Sequence, residues 1–326
     1  MKFSIVILCW NNREVIEGCL RSIYAGTDPT RFEVVVSDNG STDGSIEFIR
    51  QEYPAVTLIE NGRNLGFGKG NNVAINACRG ELIALLNQDT IVHDGALDKW
   101  VSFADNHPEA GAFGCMVLNP DGSNQGCARP FPTLWGEWIA AFYLRALGRF
   151  SDLFESDTYL RWKGDTERAI DTQAGCALLV RADLLRKLGG FDEQFYFYWE
   201  DVDLCHRIWD SGFPILYTPD VLITHIGGQS TKNAPEAFLI ERYRNRYRYF
   251  YKYFGKRGSR RCRRVVLASL ITRYVGYKLV DIVMPLRQRR ETLRMLRAAI
   301  AWNFRVDPVR FVEHGQDPLA TLDTAT

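Results

Sequence analysis

The chain has 326 residues, of which 46% are hydrophobic, so it is long enough to bury a large core. Its formal net charge is +1, which gives no chain-wide signal for nucleic-acid binding, although a basic segment can still be local. The eight cysteines form no Cys-x-x-Cys pair, a pattern that predicts buried, reduced thiols in a cytoplasmic protein. The apolar start is too short for a membrane-spanning helix and predicts a buried strand.

The first 95 residues alternate between apolar runs and amphipathic stretches. The apolar runs, read as strands, are FSIVILCW, FEVVVSDNG, AVTLIEN and ELIALLNQD. The stretches read as helices are REVIEGCLRSIYAG, DGSIEFIRQEY and the residues from about Asn71 to Cys78. This alternation with short links predicts an α/β fold, with a mostly parallel central sheet and helices on both faces.

Each of these four strands ends in side chains that form hydrogen bonds. The polar ends are Cys9 to Asn12, Ser37 to Ser41, Asn61 to Asn64 and Asn87 to Asp89. Ordinary turn chemistry explains any one of them taken singly. Ligands of parallel α/β sheets, however, bind beyond the carboxyl ends of the strands, so four polar ends together predict a nucleotide crevice.

The glycine-rich run NLGFGKGNN matches neither of the common phosphate-binding motifs. Asn71 stands where a dinucleotide fingerprint needs its third glycine, and Lys69 is followed by Gly70 where a P-loop needs Ser or Thr. The run instead predicts a glycine turn that opens a helix, whose free N–H groups can face a diphosphate.

Several segments, in this order, resemble known enzymes. SIVILCWNN, VVVSDNGSTDGS, ENGRNLGFGKGNN and LLNQDT are similar to the nucleotide-sugar domain of family 2 glycosyltransferases, which are inverting enzymes of the GT-A fold. QAGCALLVRADLLRKLGGFDEQFYFYWEDVDLCHRIWDSGF and THIGGQS resemble the rhamnosyltransferase-like branch of that family. The resemblance covers residues 1 to about 255, and implies a nucleotide-binding part at 1–95 and an acceptor part at 96–255. Residues 256–326 lie outside it and predict a C-terminal helical extension.

The resemblance implies a divalent metal at the end of the fourth strand. The family's Asp-x-Asp motif reads Asn87-Gln88-Asp89 here, so Asp89 is its only carboxylate. His225 stands where related enzymes supply a further ligand. The alternative interpretation is that His225, like most single histidines, has only a structural role. We expect Asp89 and His225 to hold Mg²⁺ or Mn²⁺ on the donor diphosphate, with the imidazole shifting the preference modestly toward Mn²⁺.

The segment FYFYWEDVDLCHR places three carboxylates directly after a run of aromatic residues. Transfer of a sugar to an alcohol needs a base, and the resemblance gives this role to Asp201, with Glu200 as the second candidate. Capping of a helix is the alternative reading of Glu200 and Asp203. Trp199 is the aromatic residue best placed to form a wall of the sugar site, whereas most aromatic residues at 131–199 are expected in the core.

The resemblance also implies a set of nucleotide-binding residues. Asp38 is expected to contact the nucleoside, and the segment at 171–175 to border the acceptor pocket. The alternative interpretation of the segment DNGSTDGS is a solvent-exposed loop with no ligand. The expected nucleotide-binding residues are Trp10, Asn11, Asp38, Arg63, Asn64, Gly66, Asn71, Asn87 and Gln88.

The segment at 242–264 contains eleven Lys and Arg residues among tyrosines and phenylalanines, with no acidic residue. Nucleic-acid binding is disfavoured because no recognition-module signature accompanies it. A solvated helix face is a second interpretation. The favoured one is contact with an anionic membrane or a lipid diphosphate, with tyrosines at headgroup level. The apolar stretch at 265–284 is interrupted by three charged residues, which favours an interfacial or packed helix over a spanning one.

The predicted function is that of an inverting, metal-dependent glycosyltransferase in cell-surface glycan synthesis. By resemblance, the donor is dTDP-L-rhamnose and the acceptor is lipid-linked or a polysaccharide, at the cytoplasmic face of the membrane. A UDP- or GDP-sugar donor and a non-catalytic nucleotide-sugar-binding protein are alternatives. A sugar nucleotidylyltransferase would need a glycine-rich loop with Arg and Lys after the first strand, which CWNN lacks.

Overall fold

The computed structural model describes residues 2–154, 156, 158–227, 235–283 and 287–315. The strands are β1 (Phe3–Cys9), β2 (Phe32–Asp38), β3 (Thr57–Glu60), β4 (Leu82–Asn87), β5 (Thr90–Val92), β6 (Ala112–Leu118), β7 (Ala128–Arg129), β8 (Arg168–Ile170), β9 (Thr172–Gln173), β10 (Ala177–Arg181) and β11 (Ile215–His225). The helices are α1 (Arg13–Ala25), α2 (Ser45–Glu52), α3 (Phe67–Ala77), α4 (Ala96–Asn106), α5 (Leu134–Ala141), α6 (Ala182–Lys187), α7 (Glu200–Asp210), α8 (Pro235–Val283), α9 (Arg287–Arg305) and α10 (Pro308–His314). Two short 3-10 helices cover Leu144–Arg149 and Asp152–Phe154.

A nine-stranded sheet forms the centre of the fold. Its strands follow the order β3-β2-β1-β4-β10-β6-β11-β5, and β8 pairs with β11. The first four of these strands are parallel to one another, and β6 is parallel to β11. Between these groups, β10 runs antiparallel to both β4 and β6. The predicted α/β fold is confirmed, and the antiparallel β10 is a feature that the sequence pattern did not indicate.

Alternate residues of each central strand enter two separate cores. In β1, Phe3, Ile5 and Ile7 join the core that α1, α2 and α4 cover, whereas Val6 joins the core that α3, α6 and α7 cover. Helices therefore lie on both faces of the sheet, as predicted. Because both faces are buried, the strands read as continuous apolar runs rather than alternating ones.

Helix α3 begins at Phe67, four residues earlier than the sequence pattern predicted. Gly66 precedes it with a φ of 83°, and the Phe67 N–H donates to the Tyr196 carbonyl oxygen at 2.8 Å. A Cβ atom on Gly66 would lie 2.6 Å from Cδ2 of Tyr196. Glycine is required at this position because the loop before α7 packs directly onto the start of the helix.

The chain divides into two compact units. The first comprises residues 1–131 and 158–230 and contains the sheet, and the second comprises residues 132–157 and 231–326. Helices α5, α8, α9 and α10 belong to the second unit. The predicted boundary at residue 255 coincides with a kink in α8 at Gly255, where φ is 66°. As a domain boundary it stays a prediction.

Several aromatic residues of the basic segment lie in the core of the second unit. Tyr243, Tyr247 and Phe250 are buried, because their spacing places them on one face of α8. The Tyr247 ring stacks on Trp302 of α9 with a centroid distance of 6.1 Å, and its hydroxyl donates to Asn303. Tyr243 and Tyr247 therefore cannot lie at headgroup level, and for these two residues the sequence-based interpretation was wrong. No described helix has an apolar stretch long enough to cross a membrane.

Glu33 is a buried carboxylate that ties β2 to the residues after α3. It accepts hydrogen bonds from Ser4 Oγ at 2.7 Å, from the Arg79 main-chain N–H at 2.6 Å and from Arg79 Nε at 3.0 Å. Burial alone would raise the pKa of Glu33. The three donors and the Arg79 charge outweigh burial, so the pKa is lowered below its ordinary value.

We expect Glu33→Gln to reduce the free energy of unfolding at pH 7 by about 1.5–3 kcal/mol, because hydrogen bonds to an ionised acceptor are lost. A carboxylate with a lowered folded-state pKa stabilises the fold above its unfolded-state pKa and loses this effect as pH falls through the folded-state value. The difference from wild type should therefore shrink on acidification. Urea unfolding at pH 7 and at about pH 3.5 measures it, with the exposed Glu47→Gln on α2 as control. An equal difference at both pH values would contradict the assignment.

Candidate functional site

Asp89 and His225, which are far apart in the sequence, meet at the carboxyl end of β4. Asp89 Oδ1 lies 3.2 Å from His225 Nε2, and Asp89 Oδ2 accepts a hydrogen bond from the Gly227 N–H at 3.0 Å. The antiparallel pairing of β5 with β11 places His225 opposite Thr90 and so fixes this meeting. Asp89 is buried, with 6% of its surface exposed.

Gln125 holds the His225 ring in one orientation. Its amide nitrogen donates to the His225 carbonyl oxygen and to Asn119 Oδ1, so its Oε1 is left to accept from His225 Nδ1 at 2.7 Å. The neutral ring therefore carries its proton on Nδ1, and the Nε2 lone pair faces Asp89. Asn87 Nδ2 lies 3.3 Å from the same nitrogen.

The electrostatics of the pair favour a positive charge between the two side chains. Burial lowers the pKa of His225, but the hydrogen bond and the charge of Asp89, together with Cys127, outweigh burial and raise the pKa above its ordinary value. Without a proton on Nε2, a lone pair and a carboxylate oxygen face each other. A proton or a metal cation can relieve that repulsion.

The donor set fits a hard divalent cation held jointly with a substrate. No group of three or more Asp, Glu, His or Cys side chains that could hold a metal occurs among the described residues. Mg²⁺ and similar ions are commonly held by one or two protein ligands, with substrate phosphates and water completing the shell. One carboxylate and one imidazole match that arrangement.

Asp201 lies in the first turn of α7 and is held by two backbone donors. Its Oδ2 accepts from the Gly175 N–H at 3.0 Å, and its Oδ1 accepts from the Val202 N–H at 2.8 Å. Tyr198 and Trp199 lead into the helix with φ values of 69° and 73°, a conformation that bulky residues rarely adopt. Such strain is often found where a side chain must be aimed into a site.

The two other acids of α7 differ from Asp201 in their surroundings. Asp203 is fully buried and forms an ion pair with Arg207, whose Nε lies 2.8 Å from Asp203 Oδ2. Arg207 also donates to the carbonyl oxygens of Leu188 and Gly190, so this pair anchors the preceding loop. Glu200 is buried, with 5% of its surface exposed, whereas Asp201 is partly exposed.

Two contacts connect Asp201 with the Asp89 and His225 pair. The Asn87 N–H donates to the Cys176 carbonyl oxygen at 3.1 Å, and Cys176 follows the Gly175 that binds Asp201. Cys127 Sγ lies 3.8 Å from Cys176 Sγ. The hydrogen bond with Cys176 lowers the pKa of Cys127 against the effect of burial, His225 lowers it further and Asp201 raises it. Both candidate groups thus lie close to one buried thiol at the same end of the sheet.

The ends of β1 and β2 form one hydrogen-bonded turn. Asp38 is fully buried, and its Oδ2 accepts from the main-chain N–H groups of Gly40 and Ser41 at 2.9 Å. The Ser41 hydroxyl donates to Asp38 Oδ1 and accepts from the Asn11 N–H at 2.8 Å. Asn11 Oδ1 accepts from the Thr42 N–H at 2.9 Å. Asp38 and Asn11 therefore shape the turn, and contact of Asp38 with a nucleoside stays a prediction.

The ends of β3 and β4 also reach this edge. The Gln88 side chain makes two hydrogen bonds with the main chain of Trp10, at 3.1 and 3.3 Å. Asn64 Oδ1 accepts from the Gly66 N–H at 2.9 Å, and the exposed Arg63 has its main chain beside Gly40.

Asn71 is a further residue that is predicted to bind the nucleotide. It is buried, and its side chain donates to the Phe67 carbonyl oxygen of its own helix. Its role in nucleotide binding stays a prediction.

Several residues of the site carried no sequence signal. Gln125 lies in the loop between β6 and β7, and nothing in its neighbours marks it as the partner of a distant histidine. Gly175 contributes only its main-chain N–H. The left-handed conformation of Tyr198 and Trp199 is also invisible in the sequence, because aromatic residues do not favour it.

The mixed, mostly parallel sheet with helices on both faces is a GT-A-like fold. The architecture is similar to that of the mannosyltransferase PcManGT from Pyrobaculum calidifontis in complex with GDP-Man and Mn²⁺, with a TM-score of 0.57 and 18% identity over 97% of this chain and 88% of that one. It is also similar to residues 1–349 of TarS from S. aureus in complex with UDP, with a TM-score of 0.53 and 18% identity over 97% of this chain and 92% of that one.

The chain belongs to glycosyltransferase family 2, because the family model described as "Glycosyltransferase like family 2" matches residues 2–248. The N-acetylglucosaminyl-diphospho-decaprenol L-rhamnosyltransferase of Mycobacterium tuberculosis is 31% identical over 255 residues, which cover 74% of this chain and 81% of that protein. Rhamnosyltransferase WbbL of Escherichia coli K12 is 25% identical, over 66% of this chain and 80% of that protein. The predicted family and the predicted glycosyltransferase activity are thereby confirmed.

Proposed function

We propose that the protein is an inverting, metal-dependent rhamnosyltransferase that transfers L-rhamnose from dTDP-L-rhamnose to a lipid-linked acceptor in cell-surface glycan synthesis. The observation that carries this proposal is the meeting of Asp89 and His225 at 3.2 Å, on the sheet edge that also holds Asp201. The choice of rhamnose is supported by the rhamnosyltransferases of M. tuberculosis and E. coli that resemble the chain. The choice of a lipid-linked acceptor is supported by the M. tuberculosis protein, whose name gives a diphospho-decaprenol acceptor. A polysaccharide acceptor and a UDP- or GDP-sugar donor are the alternatives.

Asp89 and His225 would hold Mg²⁺ or Mn²⁺, which when bound would neutralise the departing diphosphate. Gln125 keeps the Nε2 lone pair directed at Asp89 by accepting the Nδ1 proton. The Gly227 N–H donates a hydrogen bond to Asp89 Oδ2, so that Oδ1 is the oxygen that faces the imidazole. The chain itself thus holds both ligands in place before any substrate arrives, and this lowers the entropy lost on binding.

Asp201 would remove the proton from the acceptor hydroxyl. As the proton moves to Asp201, the acceptor oxygen bonds to C1 of the sugar and the bond from C1 to the diphosphate oxygen breaks. A single displacement of this kind inverts the configuration at C1. The N–H groups of Gly175 and Val202 fix the orientation of the carboxylate that would act as the base.

The strand ends would bind the nucleotide. The turn at 38–42 and Asn11 form a rigid polar surface at the ends of β1 and β2, and Arg63 is exposed beside that turn. An exposed arginine is suited to the negative charge of a diphosphate. Trp199 directly precedes Glu200 and Asp201. We propose that its aromatic side chain packs against the sugar.

A thermal-shift screen tests the donor. We expect dTDP-L-rhamnose with Mn²⁺ to raise the melting temperature by about 5–10 °C at one hundred times its dissociation constant, since such saturation adds about 2.7 kcal/mol. UDP-glucose and GDP-mannose should shift it less, and EDTA should remove most of the shift. Release of dTDP in the presence of an acceptor separates an enzyme from a protein that only binds the donor. Equal or larger shifts with UDP- or GDP-sugars would contradict the proposed donor.

A further inference from the structure

Exposed apolar side chains are concentrated in the second unit. Thirteen of the sixteen large hydrophobic side chains that are exposed among the described residues belong to it, although it is the smaller unit. Scattered exposed hydrophobic residues are normal, but a concentration of them marks a surface that contacts something other than water. Most aromatic residues at 131–199 were expected in the core, but five of them, Trp135, Trp138, Tyr143, Phe150 and Tyr196, are exposed.

The first part of this surface is the segment of α5 and the two 3-10 helices. Phe150 and Leu153 are 70% and 62% exposed, and Trp135 and Trp138 are nearly half exposed. The indole N–H of Trp135 donates to the Leu153 carbonyl oxygen at 2.6 Å, and the rings of Trp135 and Trp138 are stacked with a centroid distance of 6.4 Å. The apolar groups are therefore fixed in place by hydrogen bonds and ring contacts of their own segment.

The second part lies on the last turns of α8. Ile271, Val275 and Leu279 follow one another at intervals of four residues, so they form one stripe along the helix, and all three are exposed. Two residues before the stripe, Ser269 Oγ donates to the Ala141 carbonyl oxygen at the end of α5, at 3.2 Å. This contact places the start of the stripe beside the end of α5. We call the combined surface, formed by Trp135, Trp138, Phe150, Leu153, Val275 and Leu279, the apolar face.

Positive charge accompanies the apolar face. Residues 256–280 contain eight Lys and Arg residues and no Asp or Glu. Arg260, Arg261 and Arg264 are exposed on α8. A second copy of the chain docked on this surface would bring two such positive segments together, which is unfavourable. An anionic lipid surface is attracted to the same charges, and its interface is where Trp, Tyr and Phe side chains prefer to lie.

We infer that the apolar face is the surface through which the enzyme binds an anionic membrane, lying in the interface without crossing it. This deepens the proposed function, on which it rests for the lipid-linked acceptor. Within the basic segment at 242–264, it moves the contact from the tyrosines at 243–249, which are buried, to the exposed arginines at 260–264. Apolar side chains enter the headgroup boundary while the arginines of α8 contact lipid phosphates.

Co-sedimentation with lipid vesicles tests the inference. The wild-type chain should bind vesicles that contain about one-third phosphatidylglycerol and bind phosphatidylcholine vesicles more weakly. Two double variants, Phe150→Ser with Leu153→Ser and Val275→Ser with Leu279→Ser, should each weaken binding to the anionic vesicles by about tenfold or more. All four residues are exposed, so the variants should keep the wild-type melting temperature. Leu160→Ser, an exposed apolar residue of the first unit, is the matched control and should bind as wild type.

The outcomes separate this inference from the proposed enzymatic function. If the double variants bind vesicles as wild type does, or if the wild type does not bind, the apolar face is not a membrane surface. A concentration-dependent dimer that the same variants dissociate would overturn the inference in favour of self-association. Donor-induced stabilisation should be equal in wild type and both double variants. If that stabilisation is absent in the wild type while vesicle binding persists, the proposed function fails and the membrane surface remains.

Discussion

Replacing Asp201 with Asn should lower kcat by about 10³-fold and leave the dissociation constant of the donor within about threefold of wild type. The variant removes the basic oxygen but keeps an acceptor for the Gly175 N–H, so the local backbone should hold its position. Loss in kcat without loss in donor binding is expected of a group that acts only as the proton moves. Steady-state kinetics with a lipid-linked acceptor, and donor binding by calorimetry, measure the two quantities.

Two variants of the same helix serve as comparisons for Asp201→Asn. Asp210→Asn makes the same chemical change at an exposed position of α7 and should leave kcat unchanged. Glu200→Gln alters the other candidate base and should cost less activity than Asp201→Asn. A loss confined to Glu200→Gln, or a loss of donor affinity equal to the loss of kcat, would contradict the role assigned to Asp201.

Replacing Asp89 with Asn should abolish the stimulation of the reaction by Mn²⁺ and lower kcat/KM by about 10²–10³-fold. The neutral amide would leave His225 as the only strong ligand at this position, and the diphosphate would lose its counter-charge. EDTA should reduce wild-type activity to about the level of the variant. Activity as a function of Mn²⁺ concentration, for wild type and variant, measures the effect.

A substitution at Asn87 should have the opposite effect and strengthen the binding of Mn²⁺. Asn87→Asp would place a second carboxylate 3.3 Å from His225 Nε2, where the amide nitrogen now lies, and should tighten Mn²⁺ binding by about tenfold because ligand charge increases. Asp94→Asn, an exposed acid in the turn before α4, is the neutral control. Unchanged Mn²⁺ dependence in both Asp89→Asn and Asn87→Asp would show that the pair does not hold the cation.

Much of the fold could be predicted because local patterns decide it. The strands β1, β2 and β4 are buried on both faces, so their sequences are continuous apolar runs bounded by polar turns. The start of α3 could not be predicted, because a long-range contact between Gly66 and Tyr196 determines it. The antiparallel placement of β10 depends on neighbours that come from distant parts of the chain.

A sequence motif marks some residues of the proposed site, whereas others are marked only by three-dimensional contact. Asp89, Asp201 and His225 lie in segments with recognisable spacing, and the structure brings them to one edge of the sheet. Gln125 acts on His225 from a loop with no motif. In the second unit, composition alone could not separate the buried Tyr247 from exposed aromatic residues, since only the packing against α9 distinguishes them.

The most direct test of the proposed mechanism is an anomalous-diffraction map of crystals grown with dTDP and Mn²⁺. We expect one strong manganese peak within coordination distance of Asp89 Oδ1 and His225 Nε2 and of the dTDP phosphate oxygens, at the end of the sheet that also holds Asp201. A dTDP molecule bound with no peak at that pair, or with the peak on other side chains, would contradict the assignment of the metal site and the mechanism that depends on it.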